Sequence, residues 1–233
     1  MNNDDFLNYT SELGINLNEF QLNQLEQYYK LLIEWNKKIN LTSITEKKDV
    51  YLKHFYDSIT LIKAIDLNKN ISLCDVGTGA GFPGLVLKIC FPNLKIHLVD
   101  SLNKRVIFLK EVIKKLNLNN IEVIHCRAEE FAIKNRETFD VVTCRAVSKL
   151  NIISEICIPI VKTNGYFIPM KANIEDEIKK IIFLDKLDSK LHNIIKFNLP
   201  IENSIRNIVM IKKIKSTNVK YPRKFEKIKK MPL

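Results

Sequence analysis

The residues most suited to chemistry lie in the run Asp75-Val76-Gly77-Thr78-Gly79-Ala80-Gly81-Phe82-Pro83-Gly84, which holds four of the chain's six glycines. Glycine lets a backbone turn with positive φ and come bare against a ligand. The run sits between an apolar stretch, 71–76, and an amphipathic one, 83–91. It therefore reads as a strand-to-helix loop that holds a nucleotide-containing cofactor. Two cofactors compete for it. Gly79-x-Gly81-x-x-Gly84 fits the dinucleotide fingerprint, which would make the chain an NAD-dependent oxidoreductase. Gly77, directly after the strand, is the better first glycine, and in that register Phe82 takes the third glycine's place. Asp75 at the strand end could also engage a cationic amino-acid group, as in S-adenosylmethionine, and would crowd a pyrophosphate.

Further candidates stand at the ends of later strands. Asp100 closes the run 95–100 and could accept from both ribose hydroxyls, a role common to both cofactors. Ala128-Glu129-Glu130 follows 121–125, where an adenine edge could be read, although acids there also suit a solvated helix start. Arg145 lies beyond 139–144, where its guanidinium could clamp a phosphate or stack on a base, and Lys171 after 165–170 is a weaker phosphate contact. Cys144 and Trp35, the single tryptophan, read as core residues.

The elements needed to position these residues follow from periodicity. Leu22, Leu25, Tyr28, Tyr29, Leu32 and Trp35, then Leu52, Phe55, Tyr56, Ile59 and Ile62, recur at three- and four-residue steps and predict an N-terminal helical layer. From 71 onward, short apolar runs alternate with amphipathic stretches, the pattern of β-α-β units and a parallel sheet. Strands are expected at 71–76, 95–100, 121–125, 139–144, 165–170, 191–198 and 207–214, with helices near 83–91, 103–117, 149–162 and 174–187. This divides the chain into a helical layer (1–68), an α/β domain (69–215) and a basic C-terminal segment (216–233).

The formal net charge is +11. Much of it is terminal, since ten basic residues from Arg206 onward face the single acid Glu226. Such clustering points to a polyanion, because Lys and Arg gain from phosphate contact and counterion release. The five cysteines and four histidines lack disulfide or metal-ligand spacing, so no metal and a reducing cytoplasm are expected. No apolar run is long enough for a membrane helix, and the acidic start is unlike a signal peptide.

A more specific reading comes from the ordered blocks Trp35-Asn36, Asn40-Leu41-Thr42, His54-Phe55-Tyr56-Asp57-Ser58, the Asp75–Gly84 loop, Asp100-Ser101, Lys104-Arg105, Phe108-Leu109, Ala128-Glu129-Glu130, Cys144-Arg145-Ala146, Met170-Lys171 and Tyr221-Pro222-Arg223. Together they closely resemble the GidB family of bacterial small-subunit rRNA methyltransferases, which make 7-methylguanosine in 16S rRNA. The resemblance implies a class I S-adenosylmethionine-dependent methyltransferase, a Rossmann-like doubly wound seven-stranded sheet in the order 3-2-1-4-5-7-6 behind the helical layer. It implies cofactor contacts at Gly77, Phe82, Ala128, Glu129 and Arg145, beside Asp75, Gly79 and Asp100 from the residues themselves. No acid–base catalyst is implied: Arg145 and Lys171 become positioning candidates, and Arg145, Lys171, Arg223 and Lys224 RNA contacts. The implied partner is 16S rRNA or the small subunit, with a monomer as the simpler expectation. A non-catalytic RNA-binding assembly factor is the third reading. The chain departs from the resemblance at Lys171-Ala172, where the family commonly has Lys-Gly, and at Lys224-Phe225-Glu226, where it has Gly-x-Pro.

Overall fold

The computed structural model describes residues 1–179 and 181–233. Two amphipathic helices open the chain, α1 (Asn3–Glu12) and α2 (Glu19–Ile39). Each starts on an asparagine cap that exchanges hydrogen bonds with the third helical residue, Asn2 with Asp5 and Asn18 with Gln21. A composite helix follows, with α3 (Lys47–Val50) running into a π-helical stretch over Tyr51–Tyr56, then α4 (Asp57–Ile59) and a 3-10 turn over Thr60–Lys63.

The sheet is built from β1 (Ser72–Val76), β2 (Lys95–Asp100), β3 (Ile121–His125), β4 (Phe139–Arg145), β5 (Val161–Lys171), β6 (Ser189–Asn198) and β7 (Ile205–Lys213). Its helices are α5 (Gly84–Cys90), α6 (Asn103–Lys115), α7 (Ala128–Lys134), α8 (Leu150–Cys157) and α9 (Glu175–Ile178), and α10 (Phe225–Lys230) closes the chain. The strand order is β3-β2-β1-β4-β5-β7-β6, as the resemblance implied. β1 to β5 run parallel, while β7 is antiparallel to both β5 and β6. The order reverses between β1 and β4, and a crevice opens outside the carboxyl ends of strands at such a switch point.

Alternation along the strands supplies two cores, because successive side chains leave opposite faces of a sheet. Leu73, Val141, Ile168, Ile208 and Met210 join one core with α1, α2, the composite helix, α5 and α6. Cys74, Val142, Cys144, Phe167, Val209 and Ile211 join the other, with α7, α8 and the C-terminal segment. Cys144 is buried there, and Trp35 packs in the first core against Phe108, so both are packing residues as expected.

Two expectations change. β5 begins at Val161 instead of 165, since the polar Lys162-Thr163-Asn164 continues the strand through a register shift that has Asn164 at φ +69°. The helix expected over 174–187 is one α-turn, Glu175–Ile178, and a separate 3-10 stretch, Ile181–Leu187, with residue 180 outside the described residues. The basic segment 216–233 packs inward at Thr217, Tyr221 and Ile228, which are buried, the last two in the second core. No helix among the described residues is long and apolar enough to cross a membrane.

Candidate active site

The helical layer braces the glycine loop. The side-chain amide of Gln21 donates to the carbonyls of Ile89 and Cys90 at the end of α5, and that of Gln24 to Leu116 O at the end of α6, so α2 satisfies acceptors that helix ends leave open. Four residues after Gln24, the buried Tyr28 hydroxyl donates to Ala80 O inside the loop. The periodicity placed Tyr28 in a helix core and gave no sign of this polar contact.

The loop amides find their acceptors within the protein. The amides of Gly77 and Thr78 donate to Val99 O, those of Gly81 and Phe82 to Thr78 O, Gly79 N–H to Asp100 Oδ2 and Gly84 N–H to Asp75 Oδ2. Six amides are thus engaged, and a pyrophosphate is held by just such N–H groups when they are left open. The later glycines serve packing: a Cβ on Gly81 would lie 2.4 Å from Leu85 Cδ1, and one on Gly84 2.3 Å from Leu98 Cδ2. Gly77, with φ +70°, lines the cavity, where a Cβ would meet Val147 Cγ2 at 3.0 Å. The loop therefore follows the register that starts at Gly77, and the dinucleotide register loses its physical support.

Asp75 proves to be a loop builder. It is fully buried, and its Oδ2 accepts from Thr78 Oγ1 (2.6 Å) and Gly84 N–H (2.9 Å), while Oδ1 has no hydrogen-bond partner. Burial raises its pKa to about 6, against the opposing pull of those two hydrogen bonds. The expected contact with a cationic cofactor group does not follow from this placement, because the carboxyl is turned into the loop and away from the cavity. Gly79 likewise acts through its hydrogen bond to Asp100.

The cavity beside Gly77 measures about 470 Å³ and reaches from Asp100, Ser101 and Leu102 past Cys126, Arg127, Ala128 and Glu129 to Ile152, Ile153 and Ile156 of α8. Asp100 lies at its β2 edge. Its Oδ1 accepts from Leu102 N–H, Oδ2 from Gly79 N–H, and Arg105 Nη1 stands 3.5 Å away. A carboxylate has about four acceptor sites, so it keeps capacity for hydroxyl donors. Glu129 accepts from Arg127 Nε at 2.5 Å, and Ala128 starts α7 on the cavity wall. Four of the expected cofactor residues, Gly77, Asp100, Ala128 and Glu129, are therefore gathered around one cavity.

Phe82 and Arg145 are not part of that cavity's wall. The Phe82 ring lies under a second one, stacked on His54 at 4.4 Å, with the Arg145 guanidinium 5.1 Å above it. This second cavity, also about 470 Å³, is lined by Lys53, His54, Asp57, Arg145, Lys171 and Arg206 among others. Ala146 and Ser148 line both cavities, so the two adjoin there. Ala146 has φ +55°, a conformation uncommon for a residue with a side chain, and the turn after β4 depends on it.

Asp57 organises the second cavity. Its Oδ2 accepts from Arg145 Nη1 at 3.0 Å and its Oδ1 from Arg206 Nε at 3.2 Å. Arg145 also donates to Lys53 O, so its partners lie on the composite helix. His54 Nε2 lies 2.9 Å from Thr42 Oγ1, and its Nδ1 3.2 Å from Arg145 Nη2. Burial, then Arg145, lower the His54 pKa to about 3, so the imidazole is neutral, and its Nδ1 lies 3.2 Å from both the Arg145 guanidinium and the Lys53 carbonyl. Lys171 reaches Glu177 at 2.7 and 2.8 Å. Asp57, His54 and Arg206 carried no assigned role in the sequence. For His54 and Asp57 the signal lay in the His54–Ser58 block, which the π-helical turn swings toward β4, whereas Arg206 on β7 gave none beyond its charge.

The C-terminal cations divide. Arg223 is turned inward, with Nε and Nη2 on the buried Glu155 carboxylate at 2.8 and 2.6 Å, so its expected contact with RNA is replaced by an internal ion pair. Lys224 is exposed.

The chain resembles known proteins along its whole length. The GidB family, described as rRNA small subunit methyltransferase G, matches residues 21–197. The ribosomal RNA small subunit methyltransferase G of Bacillus subtilis is 53% identical over 230 residues, covering 96% of this chain and 95% of that protein. The protein of the same name from Bacillus cytotoxicus is 48% identical and covers 100% and 99%. Among solved structures, a SAM dependent methyltransferase from Aquifex aeolicus superposes with a TM-score of 0.54 at 18% identity, covering 71% of this chain and 93% of that one. M. jannaschii TYW2 in complex with AdoMet gives 0.53 at 17% identity, covering 68% and 77%. The sheet is thus the class I methyltransferase fold, and the chain belongs to the GidB family of rRNA small subunit methyltransferases.

Proposed function

We propose that this chain methylates N7 of a guanosine in 16S rRNA, with S-adenosylmethionine in the cavity beside Gly77 and the acceptor nucleotide in the cation-lined cavity beside Arg145. The observation that carries the reading is the meeting of the two cavities at Ala146 and Ser148, at the strand-order reversal. The residues fit such a cofactor. Gly77 offers bare backbone, Asp100 keeps acceptor capacity toward a ribose, and Ala128 with Ile152 and Ile156 gives an apolar floor for a base. When bound, S-adenosylmethionine supplies an electrophilic methyl group on a sulfonium.

The chain's own residues then have to position the acceptor. Guanine N7 attacks through an in-plane lone pair and has no proton to lose, so no general base is required. Orientation alone can be worth several orders of magnitude. Arg145, held in one direction by Asp57, Lys53 O and His54, presents a fixed guanidinium at the boundary between the cavities. It is suited to a base face or a phosphate. Lys171, held by Glu177, stands across the same cavity. Lys224 and the lysines of α10 add attraction for the RNA backbone from outside. The protein then acts in the cytoplasm, on naked 16S rRNA or on the assembled subunit, with 1–68 bracing the loop, 69–215 carrying both cavities and 216–233 closing the cofactor side.

The test is transfer of a tritiated methyl group to small-subunit RNA taken from cells without this protein, followed by mapping of 7-methylguanosine. One new 7-methylguanosine in 16S rRNA is expected. Label on another atom would overturn the acceptor, and RNA binding without label would leave an assembly factor.

A further inference from the structure

One large aromatic ring on the cofactor cavity belongs neither to the sheet nor to the helices that follow its strands. Phe225, the first residue of α10, lines that cavity together with Cys126, Arg127 and Ala128 from the end of β3 and Ile152 and Ile156 from α8. We propose that Phe225 is a cofactor-binding residue, the stacking wall for the adenine ring of S-adenosylmethionine, contributed by the C-terminal segment. The inference rests on the reading that this cavity is the cofactor site.

The placement has three supports. The first is the chemistry of the surroundings. Phe225, Ala128, Cys126, Ile152 and Ile156 supply the apolar part of the lining, while Gly77, Asp100 and Ser101 at the ends of β1 and β2 supply a polar part. A ligand with a flat heteroaromatic end and a hydroxylated, charged end matches that polarity in one orientation. The second is that the ring is fixed. The Arg127 guanidinium lies 5.4 Å from its centroid and is itself tied to Glu129, which holds one side of the ring while the ring lines the cavity. The third is that the segment carrying the ring is anchored. Arg223, two residues earlier, is joined to Glu155 through its amide and its guanidinium. Arg136 donates to the carbonyls of Thr217 and Tyr221, and Ile228 is buried beyond the ring. A basic terminal segment serving charge alone would need none of this. Stacking on an aromatic ring is tolerant of sequence detail and strong per base, so its loss should show as a loss of affinity of tenfold or more.

The experiment titrates the full-length protein with S-adenosylhomocysteine and, separately, with adenosine. Phe225→Ala should weaken both at least tenfold, whereas Phe225→Tyr, which keeps the ring, should bind both within about twofold of the natural chain. Phe225→Trp adds a reporter: Trp35 is the only natural tryptophan and packs against Phe108 in the other core, so adenosine should change the emission of the introduced indole. Should Phe225→Ala lose its fold, the Trp variant still decides. Natural affinity for adenosine in Phe225→Ala, or emission indifferent to adenosine in Phe225→Trp, would overturn the inference. Failure of the natural chain to bind S-adenosylhomocysteine would instead overturn the cofactor site on which it rests.

Discussion

Asp57 holds two guanidinium groups at once, and among the described residues neither has a second carboxylate within salt-bridge distance. Asp57→Ala would leave two neighbouring cations, both largely buried, without their counter-charge. Removing one partner of a buried pair costs about 3–5 kcal/mol, and this variant should lie toward that range in urea denaturation. A loss under about 1 kcal/mol would mean that the pairs are solvent-screened. Arg145 permits a cleaner functional test, because it faces the acceptor cavity and not the cofactor one. Arg145→Lys keeps the charge and loses the planar fork that reaches Asp57, Lys53 O and His54 together. Methyl transfer should fall by ten- to a hundredfold while the dissociation constant of S-adenosylhomocysteine stays within about twofold. Equal losses in both would return Arg145 to the cofactor, as the resemblance first implied. The sequence made Arg145 visible by its place after an apolar strand. It could not show Asp57 as its partner, since that pairing joins residues 88 positions apart.

Among the elements, the C-terminal segment behaves least like its composition. Its charge reads as an electrostatic arm, and Lys224, Lys227, Lys229 and Lys230 are indeed exposed. Yet several of its residues pack inward, with Tyr221 and Ile228 in the second core and Arg223 on the fully buried Glu155. Arg223→Ala should cost about 3 kcal/mol by stranding a buried carboxylate, which for a chain of this size corresponds to a fall in Tm of roughly 6–12 °C. An unchanged Tm with weakened RNA binding would restore Arg223 to the RNA. Charge patterning finds cations but cannot tell which will meet an internal acid, and Glu155 sits in a helix read only for its apolar face. The same limit applied to Tyr28, whose ring was legible as core and whose hydroxyl on Ala80 was not. The parallel sheet was easier to read, because a strand buried on both faces declares itself in a short apolar run wherever it lies. β5 was foreshortened where Lys162, Thr163 and Asn164 are polar and exposed, so their place in the strand left no mark in hydropathy.

At the scale of the whole molecule, two buried titrating groups pull in opposite directions as pH falls. His54 has its pKa lowered to about 3, so between there and 6.5 the unfolded chain binds a proton that the native one refuses, and stability falls with falling pH. Asp75 has its pKa raised to about 6, so between there and 3.8 the native chain takes the proton first, and stability rises with falling pH. The two nearly cancel in the natural protein over the window they share. His54→Gln removes one of them. Denaturation series should therefore show the advantage of the natural chain over this variant shrinking by about 1.4 kcal/mol per pH unit below 6.5. Parallel curves down to pH 5 would mean that His54 is protonated in the native state. The glycine loop bears on a different matter, the crowd of other nucleotides in a cell. Six of its amides already have acceptors inside the protein. A nucleoside triphosphate or dinucleotide entering the cavity would have to break one internal hydrogen bond for every loop amide it recruited, whereas a ligand with a sulfonium and an amino acid in place of phosphates brings one carboxylate and two cationic groups, and so asks for far fewer donors. Discrimination against abundant phosphorylated nucleotides is thus settled when the chain folds, by donors that are no longer on offer.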